Sequence, residues 1–105
     1  MREEVFDFME RIDAEQELSR LRDAIDRVDE VLVKLLNQRA RYAVEIGEIK
    51  GVLELPIYAP DREKQVLQHV ESVSAGPLDD AAVRRLFERI IDESRRVERE
   101  AAAKD

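Results

Sequence analysis

The sequence predicts an all-α protein of three helices, the first of them very long. Its 105 residues include only three glycines and three prolines. These are grouped at three breaks: Gly47 and Gly51, Pro56 and Pro60, and Gly76 and Pro77. Between the breaks the chain is rich in Leu, Glu, Arg, Ala and Ile, which favour helix over strand. Apolar residues also recur at helical spacing through the first segment, so we expect a helix there.

The first helix is predicted to run from about residue 15, or earlier, to about residue 52. Steps of three and four residues along it give an apolar seam with one exception. The seam positions are Leu18, Leu21, Ile25, Val28, Leu32, Leu35, Arg39, Tyr42, Ile46 and Ile49. A helix of this length measures over about 50 Å, whereas a compact domain of about 100 residues has a radius of gyration of only about 13 Å. Two shorter helices cannot cover such a seam, so a second copy of the chain is predicted to pair with it in a homodimer.

Turn and cap signals bound the other two helices. The second is predicted over Pro60–Val73, because proline suits a first helical position and Asp61 places an acid at the positive end of the helix dipole. The third is predicted from about residue 79 to residue 102, with Asp79 or Asp80 as its N-cap. Gly47 is unusual within a helix, where it costs about 1 kcal/mol relative to Ala. Its presence predicts either close packing or a bend at that point.

Composition and length exclude several classes of function. The 18 Lys and Arg residues against 25 Asp and Glu give a formal charge of −7, which argues against nucleic acid or an anionic membrane as a partner. The chain has no Cys and one His, which excludes disulfides, thiolate metal sites and most zinc or triad arrangements. No apolar run approaches a membrane span and acids interrupt the N-terminal segment, so we expect a soluble cytoplasmic protein. The length predicts one domain over residues 1–105, with 1–15 as an N-terminal extension and 101–105 as a polar tail that frays.

Arg39 is the exception in the apolar seam. A guanidinium stays protonated, and placing it among apolar side chains without a counter-anion costs several kcal/mol. Lys50 lies eleven residues further on, within about 20° of the same helix face and about 16 Å along the axis. Two long cationic side chains at that separation leave a gap suited to one small dianion. The alternative is that Arg39 reaches solvent or pairs with an acid on the partner chain.

Two other places carry polar groups that the helical pattern does not require. Arg62, with Glu63, lies in the first turn of the second helix, where the helix dipole opposes a cation. On the third helix, Ser94 and Glu98 continue an apolar stripe that includes Ile91. The alternative for both places is an ordinary solvated surface.

Five blocks of the sequence, taken together, resemble the all-helical class of chorismate mutase. They are LRDAIDRVD at 21–29, LLNQR at 35–39, EIGEIK at 45–50, PIYAPDRE at 56–63 and LFERIIDES at 86–94. The resemblance covers about residues 18 to 100, in the order and spacing of that family. It implies the family's fold, an intertwined helical homodimer of three-helix chains.

The resemblance also implies an activity, the rearrangement of chorismate to prephenate on the route to phenylalanine and tyrosine. In this reaction a C–O bond breaks as a C–C bond forms, with no metal, cofactor or covalent intermediate. The catalyst has to hold a flexible dianion in its reactive conformer and stabilise the negative charge that grows on the ether oxygen. Cations and hydrogen-bond donors are sufficient for that task.

Four cations receive roles from the resemblance. Arg39 is expected to bind one substrate carboxylate, and Arg22 to reach across the dimer to the other carboxylate in the neighbouring site. Lys50 matches the residue that contacts the ether oxygen and a carboxylate. Arg62 matches a further arginine of the site.

Five other residues complete the site that the resemblance implies. Glu63 matches the acid that accepts a hydrogen bond from the substrate hydroxyl, and Ser94 matches a polar site position. Ile46 and Ile91 are expected as apolar walls. Glu98 occupies the second ether-oxygen position, where it can donate a hydrogen bond only when protonated. The expected catalytic residues are therefore Lys50, Glu98 and Arg39.

One departure from the family pattern concerns the choice of substrate. Ala59 stands where many members have an Asp beside the substrate hydroxyl, and the related isochorismate pyruvate-lyases also carry Ala-Pro there. A lyase of the same fold, releasing pyruvate and salicylate from isochorismate, is therefore one alternative. A non-catalytic dimerisation or regulatory module is another, although it would not need Arg39, Lys50 and Arg62 together. The sequence leaves open whether the chain works alone or with another aromatic-pathway enzyme.

Overall fold

A computed structural model of the chain describes residues 2–104, with side chains from residue 7 onward. It contains the helices α1 (Arg2–Leu53), α2 (Pro60–Val73) and α3 (Asp80–Ala102). No strand occurs among the residues described, so the predicted all-α class with three helices is confirmed. Helix α1 extends back to Arg2, which fits the predicted start at about residue 15 or earlier, because the preceding residues include no Gly or Pro to interrupt it. None of these helices has an apolar stretch of the length and purity that a membrane crossing requires.

The chain divides into two units, the first ending at Asn37 and the second beginning at Gln38. The first unit, as far as it is described, is the N-terminal portion of α1 alone. Its seam side chains are between 46% and 58% exposed, and they are Leu18, Leu21, Ile25, Val28, Leu32 and Leu35. Single exposed apolar residues are ordinary, but a continuous apolar stripe marks a surface that another molecule covers.

The second unit consists of the C-terminal portion of α1 with α2 and α3. Its buried apolar side chains come from all three helices, and they are Ala43, Leu67, Val83, Ile91 and Ala101. Helix α2 packs against α3. This small core fixes the three segments that carry the polar residues singled out by the sequence.

Helices α1 and α3 cross at very short distance beside two glycines. A Cβ atom added to Gly47 would lie 2.7 Å from Glu98 Cα, well inside van der Waals contact, and one added to Gly51 would lie 3.1 Å from the carbonyl oxygen of Ala102. Gly47 is itself buried, and α1 continues through it to Leu53. Of the two explanations for Gly47, close packing is therefore the one observed. The contact places the backbone of Glu98 directly against α1.

The helix ends have identifiable causes. Asp79 caps α3, because its Oδ1 accepts a hydrogen bond of 2.8 Å from the backbone N–H of Ala82. Helix α3 ends at Ala102, as predicted. Its last turn is packed, since Ala101 is 6% exposed and Ala102 lies against Gly51. Fraying of residues 101–105 stays a prediction.

Candidate active site

A cavity of about 430 Å³ opens in the second unit between the three helices and the connection from α1 to α2. Its lining residues are Arg39, Tyr42, Ala43, Ile46, Lys50, Ile57, Ala59, Arg62, Glu63, Val66, Ile91, Ser94, Arg95 and Glu98. The α1 residues among them follow the three- and four-residue spacing of one helix face. This cavity is large enough for a small organic ligand.

The cavity brings together eight of the nine residues that the sequence predicts as a site. They are Arg39, Ile46, Lys50, Arg62, Glu63, Ile91, Ser94 and Glu98. Arg22 does not line the cavity; it lies in the first unit, where it is exposed. Its expected role in a neighbouring site therefore stays a prediction.

Arg39 points its guanidinium at the third helix rather than into solvent. Its Nη1 donates a hydrogen bond to Ser94 Oγ, and Ser94 in turn donates to the backbone carbonyl of Ile90 at 2.9 Å. That second bond fixes the serine hydroxyl, so its oxygen accepts from Arg39. Burial lowers the pKa of Arg39, the charge of Arg62 lowers it further, and the charge of Glu98 acts in the opposite direction.

No carboxylate among the described residues lies at ion-pair distance from Arg39. Its direct partner is the neutral hydroxyl of Ser94. A partly buried guanidinium keeps donors available when a single hydroxyl is its partner, because it carries five N–H groups. The side chain is therefore able to bind an anion in the cavity.

Lys50 and Glu98 form the most enclosed charged pair of the cavity, with side chains 17% and 14% exposed. Lys50 Nζ donates to the backbone carbonyl of Ile57 at 3.0 Å and lies 2.7 Å from Glu98 Oε1. The contact with Glu98 is a close ion pair whose angles are not those of a hydrogen bond. The buried Oε1 of Glu98 therefore has a counter-charge but makes no hydrogen bond. An ammonium group has three donors, so Lys50 can still donate to a ligand. Both groups keep hydrogen-bonding capacity inside the cavity.

Arg95 is a cavity residue that the sequence analysis missed. It makes a forked ion pair with Glu63, in which Nη2 lies 2.7 Å from Oε1 and Nε lies 3.1 Å from Oε2. Its guanidinium carbon also lies 5.2 Å from the centre of the Tyr58 ring. The hydrogen bonds to Glu63 raise the pKa of Arg95. A signal was present: residues 91, 94, 95 and 98 fall on one helix face, although the following run of charges reads as surface.

The cavity is cationic in an acidic chain. Four cationic side chains and two carboxylates line it, whereas the whole sequence has a formal charge of −7. Its walls also include apolar side chains from α1, α2 and α3, among them Ile46, Val66 and Ile91. Charges act more strongly in such a partly enclosed site than in water. This arrangement suits a small organic anion with an apolar body.

A family model described as chorismate mutase type II matches residues 21–99 of the chain. The chain belongs to this family. The all-helical fold and the chorismate mutase identity predicted from the sequence blocks are thereby confirmed. The matched residues include the part of the chain that lines the cavity.

Curated relatives of this chorismate mutase domain are longer proteins. The chain is 44% identical over 78 residues to a bifunctional chorismate mutase/prephenate dehydratase of Neisseria gonorrhoeae, covering 74% of this chain and 21% of that protein. It is 39% identical over 80 residues to the protein of the same description from Aquifex aeolicus, covering 72% of this chain and 22% of that one. The chain thus spans about a fifth of the length of these relatives.

Solved chorismate mutase structures share the fold over most of their length. Chorismate mutase (form II) from Thermus thermophilus superposes with a TM-score of 0.76 at 35% identity, over 78% of this chain and 93% of that chain. Chorismate mutase from Helicobacter pylori in complex with prephenate also gives a TM-score of 0.76, at 30% identity, over 84% of this chain and 96% of that chain. The domain therefore matches nearly the whole of these two structures.

Proposed function

We propose that this domain converts chorismate to prephenate, a step of phenylalanine and tyrosine biosynthesis. The observation that carries the proposal is the convergence of Arg39, Lys50 and Arg62 on one cavity with apolar walls. Two helices supply these cations, Arg39 and Lys50 from α1 and Arg62 from α2. A surface patch or a simple dimerisation module does not require such a convergence. The prephenate complex of the Helicobacter pylori relative supports the same ligand class.

In this proposal the cations select the reactive conformer of the substrate. Arg39 binds one carboxylate with the donors that Ser94 leaves free. The apolar side chains of Ile46 and Ile91 line the same cavity and would confine the ring and the side chain of the substrate. Holding a flexible substrate in a folded conformer removes much of the entropic part of the barrier.

The proposal assigns Lys50 and Glu98 to the ether oxygen. As the C–O bond breaks, negative charge grows on that oxygen, and donors that are already in place stabilise it without reorganisation. Lys50 is held in place by the carbonyl of Ile57 and by the charge of Glu98. In its protonated form the Glu98 carboxyl group would donate a second hydrogen bond in place of its ion pair with Lys50, which then keeps its bond to the carbonyl of Ile57. No proton has to leave the substrate for the rearrangement to proceed.

We also propose a homodimer in which Arg22 of each chain completes the partner's site. Two features support it: the exposed apolar stripe of the first unit, and the exposed position of Arg22 on the helix that carries this stripe. Pairing of two such helices would bury both stripes. A second carboxylate of the substrate would then meet a second arginine.

A lyase acting on isochorismate is the second candidate, and Ala59 is the observation that favours it. Its side chain lines the cavity with a methyl group where many family members have a carboxylate. Cooperation with another aromatic-pathway enzyme is a further proposal, supported by the bifunctional description of the relatives. The cytoplasmic location stays a prediction from composition.

A steady-state assay with chorismate and with isochorismate on one preparation tests the proposed function. The mutase proposal expects loss of chorismate absorbance with prephenate as the product, and little turnover of isochorismate. Pyruvate and salicylate from isochorismate at the higher kcat/KM would establish the lyase instead. Absence of turnover with both substrates in a folded protein would favour the non-catalytic module.

A further inference from the structure

The forked ion pair between Glu63 and Arg95 fixes the plane of the Glu63 carboxylate. Arg95 Nη2 contacts both oxygens, Oε1 at 2.7 Å and Oε2 at 2.8 Å, and Nε contacts Oε2 at 3.1 Å. The two side chains are 24% and 26% exposed, so the pair is partly shielded from solvent. Forked guanidinium–carboxylate pairs are among the strongest and most directional charged contacts in proteins.

Arg95 is itself held in position from two other sides. Its guanidinium carbon lies 5.2 Å from the centre of the Tyr58 ring, and its Nη1 lies 3.4 Å from Asp92 Oδ1. Tyr58 belongs to the segment between α1 and α2, whereas Glu63 lies in the first turn of α2. Arg95 therefore ties Glu63 to α3. The two residues that hold Arg95, Tyr58 and Asp92, do not line the cavity.

Glu63 keeps acceptor positions for a neutral donor on a ligand, although it is paired with Arg95. Of the two acids that line the cavity, Glu98 is at ion-pair distance from Lys50 and Glu63 is paired with Arg95. A carboxylate has about four lone-pair positions, so a forked pair still leaves acceptor positions on both oxygens. Ala59, at the start of α2, offers only a methyl group. Recognition of a ligand hydroxyl at this end of the cavity would thus depend on Glu63.

We infer that Arg95 is a positioning residue, which orients Glu63 to accept a hydrogen bond from the ring hydroxyl of the substrate and so sets selectivity for hydroxylated substrates. This inference rests on the proposed function. Arg95 need not touch the substrate, because its effect passes through Glu63. A hydrogen bond to an oriented charged acceptor contributes enough to change a rate by about 10- to 100-fold. A substrate without the hydroxyl cannot gain from that orientation.

The test compares two substrates and five variants of the full chain, one of them a double variant. The substrates are chorismate and an analogue in which hydrogen replaces the ring hydroxyl. We expect Arg95→Gln to lower kcat/KM for chorismate by at least about 10-fold and to change that for the analogue by less than about 2-fold. Arg95→Lys keeps the charge but loses the forked geometry, so an intermediate loss is expected. Circular dichroism and thermal unfolding identify variants that remain folded.

Arg96→Gln is the matched control. Arg96 neighbours Arg95 on α3 and pairs with Glu93 and Glu100, but it is 55% exposed and does not line the cavity. This variant should leave kcat/KM for both substrates unchanged. In a Glu63→Gln background, Arg95→Gln should cause almost no further loss, because its effect passes through Glu63.

Four results would overturn the inference. Equal losses of kcat/KM for both substrates, with Arg95→Gln and with Arg95→Lys, would show that Arg95 has only a structural role. Fully additive losses in the Glu63→Gln background would show that Arg95 acts on the substrate directly. A wild-type chain that turns over neither substrate would remove the proposed function together with this inference, whereas an active wild type with unaffected Arg95 variants would remove this inference alone.

Discussion

Among individual residues, Arg39 is the one whose charge a ligand carboxylate would balance. Its guanidinium is partly buried, its direct partner is the neutral hydroxyl of Ser94, and its pKa is lowered by burial first and then by Arg62. Burying a charge without a counter-charge is costly. A substrate carboxylate would supply that counter-charge, so we expect Arg39 to contribute to binding and rate rather than to folding.

Loss of Arg39 or of Lys50 should remove most of the activity. Arg39→Ala and Lys50→Ala are each expected to lower kcat/KM for chorismate by at least about 100-fold, comparable to removing one strong electrostatic donor. Arg39→Ala should not lower the melting temperature, because it removes an unbalanced charge. Initial rates and thermal unfolding check both statements.

Arg41→Ala is the control for these two variants, since Arg41 is exposed on the same helix and does not line the cavity. It should keep wild-type rates. Near-wild-type rates in folded Arg39→Ala and Lys50→Ala proteins would contradict the assignment of these cations to the site.

Glu98→Gln tests the assignment of Glu98 to the ether oxygen. The amide of glutamine can donate a hydrogen bond, whereas a carboxylate can only accept one. Glu98→Gln should therefore keep a kcat for chorismate at least equal to that of the wild type, as measured by steady-state rates. A large loss of kcat in a folded Glu98→Gln protein would count against this role.

Most site residues could be predicted from the sequence because helical spacing fixes which side chains share a face. Arg39, Ile46 and Lys50 follow α1, and Ile91, Ser94 and Glu98 follow α3 in this way. Arg95 shares that face of α3, but its pairing with Glu63, 32 positions away in the sequence, could not be predicted. An ion pair between helices depends on how the helices pack, which local spacing does not contain.

At the scale of elements, the crossing of α1 and α3 at Gly47 governs where Glu98 lies. A methyl group at Gly47 would meet the backbone of Glu98 and has no flexible side chain to displace. Gly47→Ala should therefore lower the free energy of unfolding by about 1 to 3 kcal/mol despite the better helix propensity of alanine. It should also lower kcat, because Glu98 has to move. Denaturant unfolding and steady-state rates check the two effects.

Gly51→Ala provides the comparison within the same crossing. Its added Cβ would lie 3.1 Å from the carbonyl oxygen of Ala102, so a small shift accommodates it. We expect a smaller loss of stability than for Gly47→Ala and little change in kcat. Equal effects at the two glycines would contradict the link between Gly47 and Glu98.

The bounds of the elements were predictable wherever proline, glycine or a capping acid marks them. Helix α2 begins at the predicted Pro60, and Asp79 caps α3 as one of the two predicted candidates. The start of α1 was predicted only as about residue 15 or earlier, because residues 2–14 contain no breaking residue that would mark it. The end of α3 was predicted at residue 102, where it is observed. The packing of that end against Gly51 of α1 could not be predicted from local sequence.

At the scale of the whole molecule, the proposed dimer predicts that each active site contains residues from two chains. Arg22→Ala and Arg39→Ala should each be nearly inactive, since each removes a cation from every site. In a mixed dimer, one site combines an intact Arg39 with an intact Arg22 of the other chain. Refolding the two variants together at equal amounts should therefore restore about a quarter of the wild-type activity, as random pairing of two chains requires.

Mixing the two variants without unfolding is the control, because chains that cannot exchange form no mixed dimers. Analytical ultracentrifugation should show dimers in all these samples. Recovery no greater than the sum of the separate variants, in dimeric protein, would contradict the sharing of Arg22. The sequence could predict a dimer because the apolar seam is longer than one chain covers, but it contains no measure of how two chains are arranged.

The small core of the second unit has a consequence for engineering. Two of the five buried apolar residues described above, Ala43 and Ile91, also line the cavity. A larger side chain at Ala43 would add apolar contacts for the native state and occupy space meant for the ligand. Laboratory selection for heat resistance alone would therefore tend to fill the cavity and favour stable, inactive variants, so selection for this domain has to score turnover and melting temperature together.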